Sequence, residues 1–284
     1  MYTTLLTDLT DNILTITINR PDKLNALNKT VIAELGEVVS EIYENKDIKS
    51  AILTGAGPKA FVAGADISEF LGLSKEQGQA LAKKGGDIFF RIAASPKPIV
   101  AAVNGFALGG GCELAMACHF RLCNPTARFG QPEVNLGLIP GYGGTQRLTQ
   151  LVGKGKALEL MLTGRMVEAA EALQLGLVNY ITEPDELLTK TREILSVINQ
   201  KAPIAIAHII GCANLAVGDG ATANDSADWE ADPFGGDDPA SDDPATRNGF
   251  IQEQIAFGEC FATEDMQEGA SAFLEKRKPV FKGQ

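Results

Sequence analysis

The sequence predicts an α/β fold over residues 1–200 and a helical C-terminal region over residues 201–284. Strand-like and helix-like apolar patterns alternate along the first region, which is typical of α/β proteins. After Asp185 no segment has a strand pattern. An acidic segment at about 219–246 interrupts the C-terminal region. Its nine acidic side chains, its Asp-Pro pairs and its lack of lysine or arginine predict a surface loop.

Two periodicities define the first elements. Leu14, Ile16 and Ile18 alternate with threonines, which predicts a half-buried strand. A helix follows, because six apolar side chains then share one helical face: Val31, Ile32, Leu35, Val38, Val39 and Ile42. Residues 48–54 predict the next strand, and the fully apolar run 99–103 predicts another.

The remaining elements of the first region are shorter. A glycine-rich turn leads into a helix over 113–118, and a short strand is predicted at 127–129. A helix over 168–175 ends at Gly176, which provides the usual left-handed stop, and a short strand follows at 177–181. The order of these elements supports the α/β prediction.

Charge and composition argue against several kinds of partner. The formal net charge of −11 disfavours nucleic acid and anionic membranes, since both require a basic surface. No apolar run is long enough to span a bilayer, and the N-terminal residues do not resemble a signal peptide. The five cysteines form no C-x-x-C pair, so we expect reduced thiols in a cytoplasmic protein. The sequence contains no cluster of histidines and cysteines, so it does not predict a metal site.

Three consecutive glycines precede Glu113. They allow the backbone at 109–111 to turn tightly, and the N–H groups at the start of the following helix are then unpaired. Such groups can bind a developing oxyanion. The alternative is an ordinary strand-to-helix turn, in which Glu113 interacts favourably with the helix dipole.

A second turn has the sequence Ala63-Gly64-Ala65-Asp66. Asp66 with Glu69 has the form of a capping box, which predicts a helix start with the N–H of Ala65 just before it. Each of the two turns follows an apolar strand, so together they can supply one N–H each to a single carbonyl oxygen. In isolation, Asp66 and Glu69 are structural.

Glu133 follows a proline in mostly apolar surroundings, which predicts a raised carboxyl pKa and suits proton transfer. The alternative is a surface glutamate paired with Arg147. Two carboxyls around one water can divide the work of hydration, because one removes a proton from the water and the other supplies a proton to carbon.

Taken together, these motifs closely resemble crotonases, the enoyl-CoA hydratases of fatty-acid and butanoate metabolism. The resemblance extends nearly from end to end. It rests on Asn19-Arg20-Pro21, Asn25-Ala26-Leu27, the turns at 63–66 and 109–113, Gln131-Pro132-Glu133, and the runs 140–148 and 272–278. It implies a spiral of repeated β-β-α units with a C-terminal helical region. That region is expected to join protomers as trimers, or as dimers of trimers.

The resemblance also implies roles for individual residues. Glu113 and Glu133 correspond to the two catalytic carboxyls, and the N–H groups of Ala65 and Gly110 correspond to the oxyanion hole. Glu133 then lies nearest the proton delivered to carbon 2, while Glu113 orients and deprotonates the water. The CoA and substrate contacts implied in the same way are Ala26, Ala63, Asp66, Ile67, Phe273 and Lys276.

The implied activity is reversible syn hydration of a short-chain 2-trans-enoyl-CoA, with crotonyl-CoA favoured and no bound cofactor. The presence of both glutamates favours hydration over the other reactions of the superfamily. Two alternatives stay open. One is enoyl-CoA isomerisation, and the other is a scaffold or binding protein that uses the acidic loop to dock a basic partner.

Overall fold

The computed structural model describes residues 2–70, 72, 74–217, 263–265, 268, 272 and 275–284. The chain forms two compact units, Met1–Lys201 and Ala202–Gln284. The acidic segment at 219–246 and Phe273 lie outside the described residues.

The described strands all lie in the first unit. They are β1 Leu5–Thr10, β2 Ile13–Ile18, β3 Ser50–Gly55, β4 Ala60–Val62, β5 Ile99–Val103, β6 Phe106–Leu108, β7 Phe120–Cys123, β8 Arg128–Gly130, β9 Val167–Glu168 and β10 Tyr180–Ile181. The helices are α1 Lys29–Glu44, α2 Lys75–Ala93, α3 Gly110–Ala117, α4 Gly144–Val152, α5 Lys154–Thr163, α6 Ala169–Gln174 and α7 Leu187–Ile198, with α8 Pro203–Val217 in the second unit.

The strands form two sheets that the chain visits in turn. One sheet has the order β1-β2-β3-β5-β7-β10, and the other has the order β4-β6-β8-β9. Three successive strand pairs, β3 with β4, β5 with β6, and β7 with β8, each place one strand in each sheet before the next helix. Within each sheet the neighbouring strands of these pairs are parallel. This repeated β-β-α unit confirms the predicted spiral.

The larger sheet is covered on both faces. On one face, Leu14, Ile16 and Ile18 of β2 join the apolar cluster that contains α1. On the other face, Ile13 packs in a cluster with Leu187 of α7. The prediction that β2 is half-buried is therefore wrong. Thr15 is only 8% exposed, because α7 covers the threonine face and Arg192 donates a hydrogen bond to the Thr15 hydroxyl at 2.6 Å.

The helix start predicted at Asp66 is not observed. The segment after Asp66 is only a short 3-10 turn, Ile67–Glu69, and Asp66 makes no capping bond there. Asp66 instead accepts hydrogen bonds from Arg20 and Ser68. The capping box of this region lies further on, where Ser74 and Gln77 begin α2.

The last two described helices differ in burial. Helix α7 buries three side chains, Leu187, Thr191 and Leu195, whereas α8 has no buried residue. Among the described residues, no single helix is long and apolar enough to cross a membrane, although α7 and α8 reach that length and hydropathy when taken together.

A glycine allows α3 to lie directly against β4. A Cβ at Gly111 would lie 2.0 Å from the Val62 carbonyl oxygen and 2.7 Å from the Val62 Cβ, so no side chain fits at this position. The loop that follows β4 therefore lies beside the start of α3. This contact brings together the two turns singled out in the sequence.

Candidate active site

A cavity of about 500 Å³ lies where these turns meet. Ala65, Gly110, Glu113 and Glu133 all line it, and so do Ala63 and Ile67. Much of the remaining wall is apolar and includes Phe70, Leu81, Leu136, Leu138, Ile139 and Tyr142. An apolar pocket with a few convergent polar groups is the usual form of a small-molecule site.

Two residues of the cavity lining, Ala65 and Gly110, have backbone N–H groups that the pairing of their own segments does not use. Gly110 is the first residue of α3, where N–H groups have no acceptor within the helix. Leu27 pairs with the loop at 64–66 by donating to the Gly64 carbonyl and accepting from the Asp66 N–H. Because alternate groups of an extended chain point to opposite sides, the Ala65 N–H points away from Leu27.

The two turns and Glu133 approach each other closely. Gly109 has φ +50° and ψ −125°, which favours glycine. A Cβ at Gly109 would lie 3.9 Å from the Gly64 Cα and 2.9 Å from Oε1 of Glu133. The backbone conformation at position 109 therefore favours glycine, and a side chain there would also displace the Glu133 carboxyl.

The Glu113 carboxyl is held by a loop rather than by solvent. Glu113 lies in the first turn of α3 and is 1% exposed. Its Oε1 accepts hydrogen bonds from the N–H groups of Tyr142 at 2.7 Å and Gly144 at 2.8 Å. These bonds fix the orientation of the carboxyl in the cavity. The role of Glu113 is therefore not limited to a favourable interaction with the helix dipole, because its carboxyl is buried and held in one orientation.

Burial raises the pKa of Glu113, while the N–H groups of Gly144 and Tyr142 and the charge of Arg147 act in the opposite direction. Burial also raises the pKa of Glu133 to about 7, and the charge of Glu113 adds to this rise. Each carboxyl is therefore more readily protonated than an exposed glutamate. Two such groups in one cavity are suited to sharing a proton near neutral pH.

Glu133 follows β8 at the start of a 3-10 turn, Pro132–Leu136. Its carboxyl lies in the cavity, so the alternative of a surface glutamate is wrong. The side-chain amide of Gln131 is oriented with its nitrogen toward Glu133, and this nitrogen donates to both Glu133 carboxyl oxygens, at 3.0 and 3.3 Å. Gln131 is 1% exposed, so this contact is shielded from water.

The residues predicted to contact CoA are only partly brought together. The backbone at 24–27 is hydrogen-bonded to the backbone at 63–66, which places Ala26 beside Ala63, and Ile67 follows on the cavity wall. Asp66 forms an ion pair with Arg20 at 3.1 Å. Lys276 is exposed and belongs to the second unit, with φ +57°.

Several residues of the site were not predicted from the sequence. The backbone N–H groups of Tyr142 and Gly144 hold Glu113, Gln131 contacts Glu133, and α2 contributes Leu81 to the wall. The signal for the first two was the run Gly141-Tyr142-Gly143-Gly144 before α4, since a glycine-rich segment at a helix start exposes N–H groups.

Comparison with known proteins identifies the family. The family model described as "Enoyl-CoA hydratase/isomerase" matches residues 8–227. A short-chain-enoyl-CoA hydratase of Clostridium acetobutylicum is 44% identical over 263 residues, which are 93% of this chain and 91% of that protein. A crotonyl-CoA hydratase of Syntrophomonas wolfei is 40% identical over 280 residues, 99% and 98% of the two chains.

The solved structures agree with these sequence relatives. The crystal structure of an enoyl-CoA hydratase from Bacillus anthracis superposes with a TM-score of 0.86 at 34% identity, covering 99% of this chain and 100% of that one. An enoyl-CoA hydratase subunit from Geobacillus kaustophilus gives the same TM-score at 36% identity, covering 100% and 99%. The chain therefore belongs to the enoyl-CoA hydratase/isomerase family.

Proposed function

We propose that this enzyme reversibly adds water to short-chain 2-trans-enoyl-CoA thioesters, with crotonyl-CoA as the favoured substrate. The family and the names of the relatives make the chain an enoyl-CoA hydratase. One observation carries the proposed chemistry. Two carboxyls, the buried Glu113 from α3 and the half-buried Glu133 from the segment after β8, line one cavity together with Ala65 and Gly110.

The proposed role of Ala65 and Gly110 is to bind the thioester oxygen through their N–H groups. As hydroxide adds to carbon 3, electron density moves through carbon 2 to this oxygen, which gains enolate character. Preorganised N–H donors stabilise that charge more than they stabilise the neutral thioester. Binding the oxygen there therefore makes carbon 3 electrophilic.

The proposed role of the two carboxyls is to transfer the protons of one water molecule. Glu113 orients the water and accepts its proton as the C–O bond forms at carbon 3. Glu133 gives its proton to carbon 2 as the enolate collapses. The pair begins and ends the step with one proton in total, and dehydration runs through the same states in reverse. This chemistry uses only the chain's own groups, so we propose no bound cofactor.

We expect kcat/KM for hydration and for dehydration to decline in parallel as the pH rises above about 7. The active pair carries one proton, and a raised pKa means that this proton is lost as the pH rises through that value. The two profiles share one shape because the hydration equilibrium exchanges no protons with solvent. The measurement is kcat/KM for crotonyl-CoA and for 3-hydroxybutyryl-CoA between pH 6 and 9.

Binding of butanoyl-CoA, which is not hydrated, serves as the control for this pH series. If its affinity stays constant while both kcat/KM values fall, the lost group acts in chemistry rather than in binding. A rate that stays flat through pH 9 in both directions would contradict a pair that must keep one proton.

Short chain length is proposed from the cavity and from the named relatives. The ring of Tyr142 lines the cavity and packs edge-on against Phe89, with ring centroids 5.3 Å apart. Gly85 makes room for this ring, since a Cβ there would lie 2.5 Å from it. The Tyr142 ring in the cavity wall is therefore packed against α2, and the two relatives quoted above are named for short-chain and crotonyl substrates.

The activity is tested by product analysis. We expect crotonyl-CoA to lose its conjugated absorbance and to gain one water, giving 3-hydroxybutyryl-CoA, with kcat/KM falling along the crotonyl, hexenoyl and octenoyl series. An enoyl-CoA isomerase would instead shift the double bond of a 3-enoyl-CoA without forming a 3-hydroxy product. CoA thioester binding without turnover of either kind would favour the scaffold alternative.

The remaining assignments are proposals of the same kind. The backbone near Ala26, Ala63 and Ile67, with Asp66, is proposed to contact CoA, and Phe273 with Lys276 is proposed to contact the nucleotide. We propose a trimer or a dimer of trimers, supported by the exposed apolar side chains of α8, of which Ile209 is 68% exposed. A cytoplasmic location is supported by the free cysteines Cys112, Cys118 and Cys123.

A further inference from the structure

Arg147 lies in the interior of the protein beside the proposed site. It stands on α4 and is 2% exposed, and its side chain is among the largest that are fully buried. Burying a guanidinium costs free energy unless its surroundings compensate for the charge. The mechanism proposed above gives Arg147 no part, so its position requires an explanation.

The guanidinium contacts the loop that holds Glu113. Nη1 of Arg147 donates to the Tyr142 carbonyl oxygen at 3.1 Å. The same nitrogen packs against the next residue, since a Cβ at Gly143 would lie 2.7 Å from it. Tyr142 and Gly144, on either side of Gly143, are the residues whose N–H groups bind Glu113. Arg147 thus fixes the short stretch of backbone that orients the carboxyl.

Two further contacts keep the guanidinium in this place. Its central carbon lies 4.9 Å from the ring centroid of Phe90 on α2, which is a cation–π distance. The backbone N–H of Arg147 donates to the Gly143 carbonyl at 3.0 Å, so α4 itself begins on the same loop. The charge of Arg147 also lowers the pKa of Glu113 against the effect of burial, which favours the ionised carboxylate.

We propose that Arg147 is a positioning residue, which holds the loop at 141–144 so that the N–H groups of Tyr142 and Gly144 keep the Glu113 carboxyl oriented toward the water. The inference rests on the proposed function, because it assumes that Glu113 acts in the chemical step. Arg147 acts through Glu113, because Arg147 is not among the residues that line the cavity.

The first test compares Arg147→Met with Arg147→Lys. Methionine fills the space but removes the donor and the charge, and we expect kcat for crotonyl-CoA to fall about 30-fold with KM changed by less than about threefold. Lysine retains the positive charge and can still donate to the Tyr142 carbonyl, so its kcat should lie between those of Arg147→Met and wild type. Equal kcat values in wild type and Arg147→Met would overturn the proposal.

A double-mutant cycle with Glu113→Gln distinguishes positioning from general support of the fold. If Arg147 acts through Glu113, adding Arg147→Met to Glu113→Gln should lower kcat by less than about threefold further. A further loss equal to that of the single Arg147→Met variant would mean that Arg147 acts independently of Glu113. That result would overturn the inference and leave the proposed function intact. A Glu113→Gln variant with wild-type kcat would instead overturn the proposed function.

Lys97→Met provides a matched control. Lys97 is also a cation that binds backbone carbonyls, those of Ile42 and Asn45, at the end of α1 and away from the cavity lining. We expect this variant to lose thermal stability but to retain kcat per folded molecule. All rates are referred to the folded fraction measured by near-UV circular dichroism. If Arg147→Met does not fold, Arg147→Lys and its combination with Glu113→Gln complete the cycle.

Discussion

Replacing either Glu113 or Glu133 by glutamine is expected to lower kcat for crotonyl-CoA hydration by on the order of a thousandfold or more. Glutamine keeps the shape of the side chain and can still accept the N–H groups of Tyr142 and Gly144, or a bond from Gln131. It can neither accept the water proton nor deliver one to carbon 2. The measurement is steady-state hydration by each variant across the pH range of the wild type.

The double variant gives the sharper form of this prediction. Because Glu113 accepts a proton in the same step in which Glu133 delivers one, removing both groups should cost little more than removing one. Binding of butanoyl-CoA should stay within about threefold of wild type in all variants, since the carboxyls act on the water rather than on the thioester. A loss of less than about tenfold in both single variants would contradict hydration by paired carboxyls.

The sequence located these two carboxyls because each lies in a motif with a physical meaning of its own. Three glycines before Glu113 predicted a tight turn and exposed N–H groups, and the structure has that turn, with Gly109 at φ +50°. The apolar surroundings of Glu133 predicted a raised pKa, and burial raises it to about 7. The local sequence therefore identified the two reactive side chains, and the resemblance to crotonases indicated that they belong to one site.

What the sequence did not show depends on contacts between distant segments. The Asp66 and Glu69 pair has a capping-box spacing, but Arg20 binds Asp66 and the Lys29 N–H binds Glu69 instead. The alternation in β2 predicted an exposed threonine face, yet Arg192, 177 residues further along, covers Thr15. Local propensity cannot anticipate a partner that the tertiary fold brings in.

The hydrogen bonds that hold the Glu113 carboxyl could not be predicted from the sequence for a different reason. Its partners are the backbone N–H groups of Tyr142 and Gly144, and a main-chain donor leaves no trace in residue identity. Gly144 is a partial exception. A Cβ there would lie 2.5 Å from the terminal amide of Gln131 and 2.9 Å from Oε1 of Glu113. Only glycine fits at this position, so the glycine run before α4 was the available signal.

Replacing Gly110 by proline is expected to lower kcat and kcat/KM by about a hundredfold to a thousandfold. Proline removes the N–H that is proposed to bind the thioester oxygen, while its φ suits the first position of a helix. We expect kcat and kcat/KM to fall by the same factor. The hydrogen bond that proline removes is one that strengthens only as charge develops on the thioester oxygen. Steady-state hydration of crotonyl-CoA measures both constants.

The Gly110→Ala variant separates the effect of losing the N–H group from the effect of adding side-chain volume. Its Cβ would lie 3.3 Å from Leu27 Cδ1 and 3.3 Å from the Tyr142 ring, so these neighbours must shift by a few tenths of an ångström. The alanine variant keeps the N–H, and we expect its kcat to stay within about tenfold of wild type. If the proline and alanine variants lose activity equally, crowding against Leu27 and Tyr142 explains the loss and Gly110 is not an oxyanion donor. If only proline is severely impaired, the backbone at 110 supplies the charge stabilisation that the two carboxyls cannot provide.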